Sequence, residues 1–233
     1  MDELTDLEKA DIAAVFRSIP AARLIPYMLA SHQDTYAALD LYGWNVQVAA
    51  ALHETLAHFE IAFRNRIDEA LTSRHKHLRR RGDWLDDNYS EFTTRASDLL
   101  FDARLAATDH MKKDIQQGKR VGIERGHIVA ELTLGFWRRL LDTRYENVHG
   151  SAVMRLFPDL KRSRNSDMDN LRQLVDPLLS LRNRIAHHEP IWDLNHQGRR
   201  DDALRLIGIT SPEMRVWVAD RCRLLTILPV PIK

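Results

Sequence analysis

Four polar residues late in the chain have the types and spacing to move protons and hold a phosphate: Arg182, Asn183, His187 and His188. Histidine titrates near neutral pH and can serve as base or acid. Arginine stays charged and presents planar donors suited to phosphate oxygens. Asn183, one helical turn before His187, can hydrogen-bond that ring or the phosphate and so fix orientation. Metal-free RNA cleavage needs this set: a base for the ribose 2′-hydroxyl, an acid for the 5′-oxygen, and a cation for the charge on the phosphorane. One such motif supplies one well-placed histidine, and two motifs meeting across a dimer two-fold would supply the second.

A helix must carry these groups. Leu171, Leu174, Leu178, Leu181 and Ile185 recur at spacings of three and four, the period of a half-buried helix. At about 100° per residue they fall in one arc, with Asn183 and His187 together on nearly the opposite side. Arg182 lies on the flank, and His188 rotates back towards the leucines. The spacing predicts a helix over 171–190, stopped by Pro190. It favours His187 over His188 for the chemistry, with His188 packed against Ile191 or Trp192.

As a bare pattern R-x(4–6)-H is weak, because a chain rich in Arg and His produces it by chance. Arg104 to His110, Arg120 to His127 and Arg144 to His149 also fit. The Arg182 match stands out by its place late on a strongly amphipathic helix. Other chemistries fit less well. His53 and His58, in a stretch that resembles a zinc-protease motif, are five apart. That spacing turns the second ring by about 140° and takes it off the shared face. No phosphate-binding glycine loop and no serine elbow is present. The single cysteine, Cys222, excludes a disulfide framework and a Cys-rich zinc site. Neither a metal nor another cofactor is expected.

The rest of the chain reads as helix. A first amphipathic helix over 4–17, capped by Asp2 or Thr5, is followed by one from Pro20 to Ser31. A short helix over 35–45 then leads to a long one over 44–72, with Val48, Leu52, Leu56, Phe59, Phe63 and Ile67 in phase. On the long helix Glu60 and Arg64 are four apart and can pair along its surface. The basic run 73–82 holds Arg79, Arg80 and Arg81; it is either a solvated helix end or a phosphate-contacting patch. Leu99, Leu100, Ala103 and Leu105 are expected inward, and 112–126 is expected as a loop. Thr133 should cap a helix carrying Phe136, Trp137, Leu140 and Leu141 into the core. Asp176-Pro177 marks a fresh start or a kink, and 159–170 is a charged loop with Lys161, Arg162 and Arg164. A last helix starts at Ser211-Pro212, turns Met214, Trp217, Leu224 and Leu228 inward, and is ended by Pro229 and Pro231.

The chain has 233 residues and a formal net charge of +1, so bulk charge argues neither for nor against a nucleic-acid partner. The acidic start and the lack of a long apolar run predict a cytoplasmic protein with no signal peptide and no membrane contact. Few Gly and Pro, no alternating stretch and no composition break predict one all-α domain over 1–233, an elaborated helical bundle with additional short helices.

The string Leu181-Arg182-Asn183-Arg184-Ile185-Ala186-His187-His188-Glu189-Pro190 resembles the signature of Abi-like (abortive infection) proteins of the HEPN superfamily. Three further segments agree in order: Leu39 to Asn45 resembles an LY-x-WN stretch, Phe59 to Asn65 an E-x-x-x-R-N helix, and Leu134 to Trp137 a G-F-W helix. The resemblance implies a HEPN-like bundle, a role in phage defence or as a toxin, and a homodimer, with an antitoxin or other regulatory partner. It implies metal-independent endoribonuclease activity through Arg182, Asn183, His187 and His188. RNA would be held by Arg184, Arg64, Arg79, Arg80 and Arg81, with Glu60 and Asn65 supporting the site. Two alternatives stand beside it. The protein is a non-catalytic RNA-binding or toxin-regulating module using the same cleft and the runs 74–81 and 161–164. Or Arg182, Glu60 and Arg64 form a buried polar network that pins two helices in register.

Overall fold

A computed structural model describes residues 6–119, 122–160 and 167–228, all helix, turn and loop with no strand among them. Helices α1 (Asp6–Ser18) and α2 (Ala21–Ala30) lead into α3 (Thr35–His77), the longest element. After a 3-10 turn at Trp84–Asp86 come α4 (Thr94–Gln116), α5 (Arg125–Glu131) and α6 (Leu134–Arg139). A tight stretch with a π-turn at Glu146–Gly150 leads to α7 (Ser151–Arg155). The chain then runs through α8 (Asp167–Ala186), α9 (His196–Thr210), α10 (Pro212–Arg221) and α11 (Leu224–Ile227). Arg120, the cluster at Lys161, Arg162 and Arg164, the caps at Asp2 or Thr5, and Pro229 and Pro231 lie outside the described residues.

Helix α3 is the axis of the core. The 35–45 segment and the long helix expected after it are one helix of about 65 Å, at 1.5 Å rise per residue. Gly43 does not break it. A mid-helix glycine costs about 1 kcal/mol, but Ala38, Leu41, Trp44, Asn45 and Val48 are all buried in one phase across it. Burying one such apolar side chain is worth about 1.5–3 kcal/mol, so packing decides. The Asp34 carboxylate caps the start by accepting the Ala37 N–H. Further along, Phe59 and Phe63 stack with centroids 5.5 Å apart.

Helices α2, α8 and α9 pack directly on α3. Leu171, Val175, Leu178, Leu181 and Ile185 of α8 are buried, and the helix passes through Pro177. Helix α9 has no counterpart among the sequence-based expectations. Its polar start and Gly198 and Gly208 mask the phase, although Asn195 caps it by accepting the Gly198 N–H. Thr133 caps α6 as expected, and Phe136, Trp137, Leu140 and Leu141 are buried. Two inward assignments are corrected. Leu105 is exposed, its place in the α4 stripe being taken by Ala96 and Ala107. Trp217 is about half exposed, lying against His58 and under Arg221, because Val218 is the residue of α10 that faces the core. Helix α4 also runs to Gln116, which shortens the expected loop. No helix among the described residues is long and apolar enough to cross a membrane.

Candidate active site

Helix α8 ends at Ala186, earlier than its apolar spacing suggests, and the way it ends places the histidines. The His188 N–H donates to the Ile185 carbonyl at 3.0 Å and the Glu189 N–H to the Arg184 carbonyl at 2.8 Å. That pair of bonds is a Schellman turn, with His188 at the left-handed position usually held by glycine (φ 54°). His187 keeps its helical bond to the Asn183 carbonyl at 3.0 Å, so these two stay one turn apart. Asn183, His187 and His188 are all exposed. His188 is therefore placed by the turn and not by helical projection.

Two arginines and an asparagine hold the turn. Arg23 of α2 donates to the carbonyls of His187 and His188. Arg184 donates to the Pro190 carbonyl and lies within 4 Å of Glu189 and Asp193. It faces the turn it stabilises. Beneath, the buried Asn45 side-chain oxygen accepts the Ile191 N–H at 2.7 Å. The next residue back on α3, Trp44, packs edge-on against His196, whose ring bonds the Ile191 carbonyl. Burial holds the His196 pKa below its ordinary value.

Arg182 leans onto α3, where its Nε lies 3.4 Å from Glu60, both side chains half-buried. The partner of Glu60 is thus across the helix interface, in place of the expected Glu60–Arg64 pairing along α3. Nε of Arg182 and Nε of Arg64 are buried without a hydrogen-bond partner. Arg64 sits one turn along α3 from Glu60. Asn65 is exposed, about 140° round α3 from Glu60.

The basic run is elsewhere. It begins about 20 Å along α3 beyond Glu60, at 1.5 Å per residue, and closes the C-terminus of that helix in a second Schellman turn with Arg79 at φ 52°. Arg80 and Arg74 share the Glu91 carboxylate, each at 2.6 Å, and Arg80 lies 4.4 Å over the Tyr89 ring. Burial pushes the Glu91 carboxyl up, but the two arginines outweigh it and hold its pKa at about 2. Arg79 and Arg81 are exposed there. Residues of two competing R-x(4–6)-H matches have partners of their own. Arg104 pairs with Asp86 and His110 with Glu131, while His149 is buried against Tyr145 and bonded to the Leu140 carbonyl.

Between α2, α3 and the turn after α8 lies a groove of about 640 Å³. Arg23 and Tyr27 line it from α2, Tyr42, Val46 and His53 from α3, and His188 and Glu189 from the turn. Ala49, Ala50, Ile185 and Ala186 supply apolar wall. Tyr27 is fully buried with its hydroxyl unpartnered, and burial together with Tyr42 pushes its pKa up to about 12. Arg23, Tyr27, Asn45 and His53 are the neighbours that sequence reasoning did not place at the site. Asn45 left a trace inside the LY-x-WN stretch, and His53 inside the stretch set aside as a zinc-protease motif. Among the described residues no group of three or more His, Cys, Asp or Glu is placed to hold a metal ion.

A family model described as Abi-like protein matches residues 25–193, which takes in most of α2, all of α3 and α8, and the histidine turn. No curated protein and no solved structure matches the chain.

Proposed function

The chain belongs to the Abi-like protein family, and from that premise we propose that it is a metal-independent endoribonuclease of abortive infection, with a HEPN-type bundle as its scaffold. The observation that carries this reading is the end of α8. A rigid helix presents Asn183, His187 and His188 to solvent on a turn tied down from beneath, with Arg182 beside them on the α3 seam. Preorganised groups of this kind are what phosphoryl chemistry needs, because orientation and charge are supplied before the substrate arrives.

In the proposed reaction a histidine takes the 2′-hydroxyl proton and the 2′-oxygen bonds to phosphorus. The bond from phosphorus to the 5′-oxygen breaks, and a second group protonates that oxygen. The products are a 2′,3′-cyclic phosphate and a 5′-hydroxyl. Arg182 stabilises the phosphorane. Its Nε lies 3.4 Å from Glu60 without making a hydrogen bond, so a phosphate offered in good geometry can compete with the carboxylate for the guanidinium. Arg64 adds positive charge along the same seam. A homodimer in which the two α8 ends face a shared cleft completes the reading, and RNA is the partner.

The test is incubation of purified protein with total RNA in the presence of EDTA, comparing wild type with the double variant His187→Ala, His188→Ala. Cleavage that survives chelation, leaves cyclic phosphate ends and disappears in the variant supports the nuclease. Retarded RNA without cleavage, weakening steeply with salt, identifies a binding module. Strictly monomeric scattering at working concentration removes the shared cleft.

A further inference from the structure

The chemistry above needs two proton-transfer groups, and the two motif histidines are adjacent on one turn. The Schellman turn brings His188 to the groove between α2 and α3, and His53 of α3 lines the same groove. Both residues are solvent-exposed. His58, the other histidine of that stretch, is turned away onto the Trp217 ring at 5.3 Å, so His53 alone of the two opens onto the groove. The groove also has the build of a nucleotide seat. Its volume lies within the roughly 300–1,000 Å³ of small-ligand sites, its walls are apolar and aromatic, and its polar groups converge from three elements.

We propose that His53 is a second acid–base residue of this site, acting with His188 on a single nucleotide seated in the groove of one subunit. The proposal rests on the nuclease reading and changes where the second histidine comes from: the same chain supplies it. One of the pair accepts the 2′-hydroxyl proton as the bond from oxygen to phosphorus forms. The other donates a proton as the bond to the 5′-oxygen breaks, and exchange with water restores both rings. The other titratable or charged groups facing the groove are Arg23 and Tyr27 from α2, Tyr42 from α3 and Glu189 from the turn. Next to His53 on α3, Glu54 is held by Arg223 at 2.9 Å.

The experiment measures single-turnover RNA cleavage between about pH 5 and 9, bracketing the histidine range, for wild type, His53→Gln, His53→Ala and His188→Gln, with circular dichroism as a check on folding. His53 is exposed, so its variants are expected to fold. The expected result is a loss of about 10²–10⁴-fold for each variant, the usual share of general acid–base catalysis. One limb of the bell-shaped pH profile is expected to vanish in His53→Gln, with partial rescue of His53→Ala by added imidazole. A mixture of His53→Gln and His188→Gln subunits is expected to stay inactive, because no subunit then holds both rings. A wild type that cuts RNA while His53→Gln keeps its rate and both limbs overturns the proposal and leaves the nuclease reading standing. Recovered activity in the mixture overturns the single-subunit site in favour of a pair formed across two chains. A wild type that cuts no RNA overturns both.

Discussion

The side-chain oxygen of Asn45 accepts the backbone N–H of Ile191 at 2.7 Å inside the core, joining residues 146 positions apart. This bond couples the first third of α3 to the segment that follows the histidine turn. Its partner atoms are buried, so the turn is located by a bond that water cannot replace. Asn45→Ala leaves that N–H unsatisfied, which costs about 1–3 kcal/mol. The variant should unfold at lower denaturant and cut RNA more slowly, and a stability within about 0.5 kcal/mol of wild type, below the range for a lost buried bond, would show that the bond does not anchor the turn.

His188 stands at φ 54°, where a side chain is strained by about 1–2 kcal/mol. Its ring is exposed and contributes little packing. His188→Gly should therefore raise stability by about 1 kcal/mol while lowering cleavage, the signature of strain kept for function. Thermal unfolding and RNA cleavage measured on one preparation decide it. Loss of stability with the glycine would place the ring in a structural role.

Arg182 is asked to act as a planar fork towards phosphate, whereas a lysine in its place would offer only a point charge. Arg182→Lys should lower cleavage by about tenfold or more yet leave stability nearly unchanged, because the Arg182 Nε makes no hydrogen bond to Glu60 and a lysine keeps the charge. A large stability loss instead would favour a network that pins α8 to α3.

The Tyr27 hydroxyl is buried and makes no hydrogen bond. Tyr27→Phe keeps the ring and removes an unsatisfied polar atom, so stability should stay level or rise by up to about 1 kcal/mol. Denaturant titration checks this, and a loss above about 1 kcal/mol, the worth of a typical hydrogen bond, would mean that the hydroxyl has a partner in solution.

Glu91 carries a pH dependence of known sign. Its folded-state pKa of about 2 lies below the ordinary 4.5, so its ionised form stabilises the fold above pH 4.5. That contribution fades as pH falls from 4.5 towards about 2. Glu91→Gln should be less stable than wild type near neutral pH, with the gap closing across this window. A gap that widens on acidification would contradict the pairing with Arg74 and Arg80.

Much of the helical architecture was legible because it depends on local spacing. The buried positions of α3 and α8 recur every three or four residues, and the caps at Thr133 and Ser211 use short side chains whose bonds close within three residues. The misreadings have equally local causes. Gly43 suggests a break that buried neighbours on both sides override, and α9 has too mixed a surface to reveal its phase. Bulk favours Trp217 as the inward residue, but Val218 occupies the buried side of α10.

For the site, the sequence alone determined which residues carry protons and charge, and that Asn183 and His187 lie a turn apart, because helical geometry follows from number along the chain. Tertiary structure decided what stands opposite them. Glu60 meets Arg182, Arg23 binds the carbonyls at the turn, Asn45 holds the segment beyond, and His53 shares a groove with His188. Each of these pairings joins distant parts of the chain, and no local period encodes it. They exist because α2 and α8 bury their apolar faces on α3, and that packing fixes which polar groups remain beside one another at its edge.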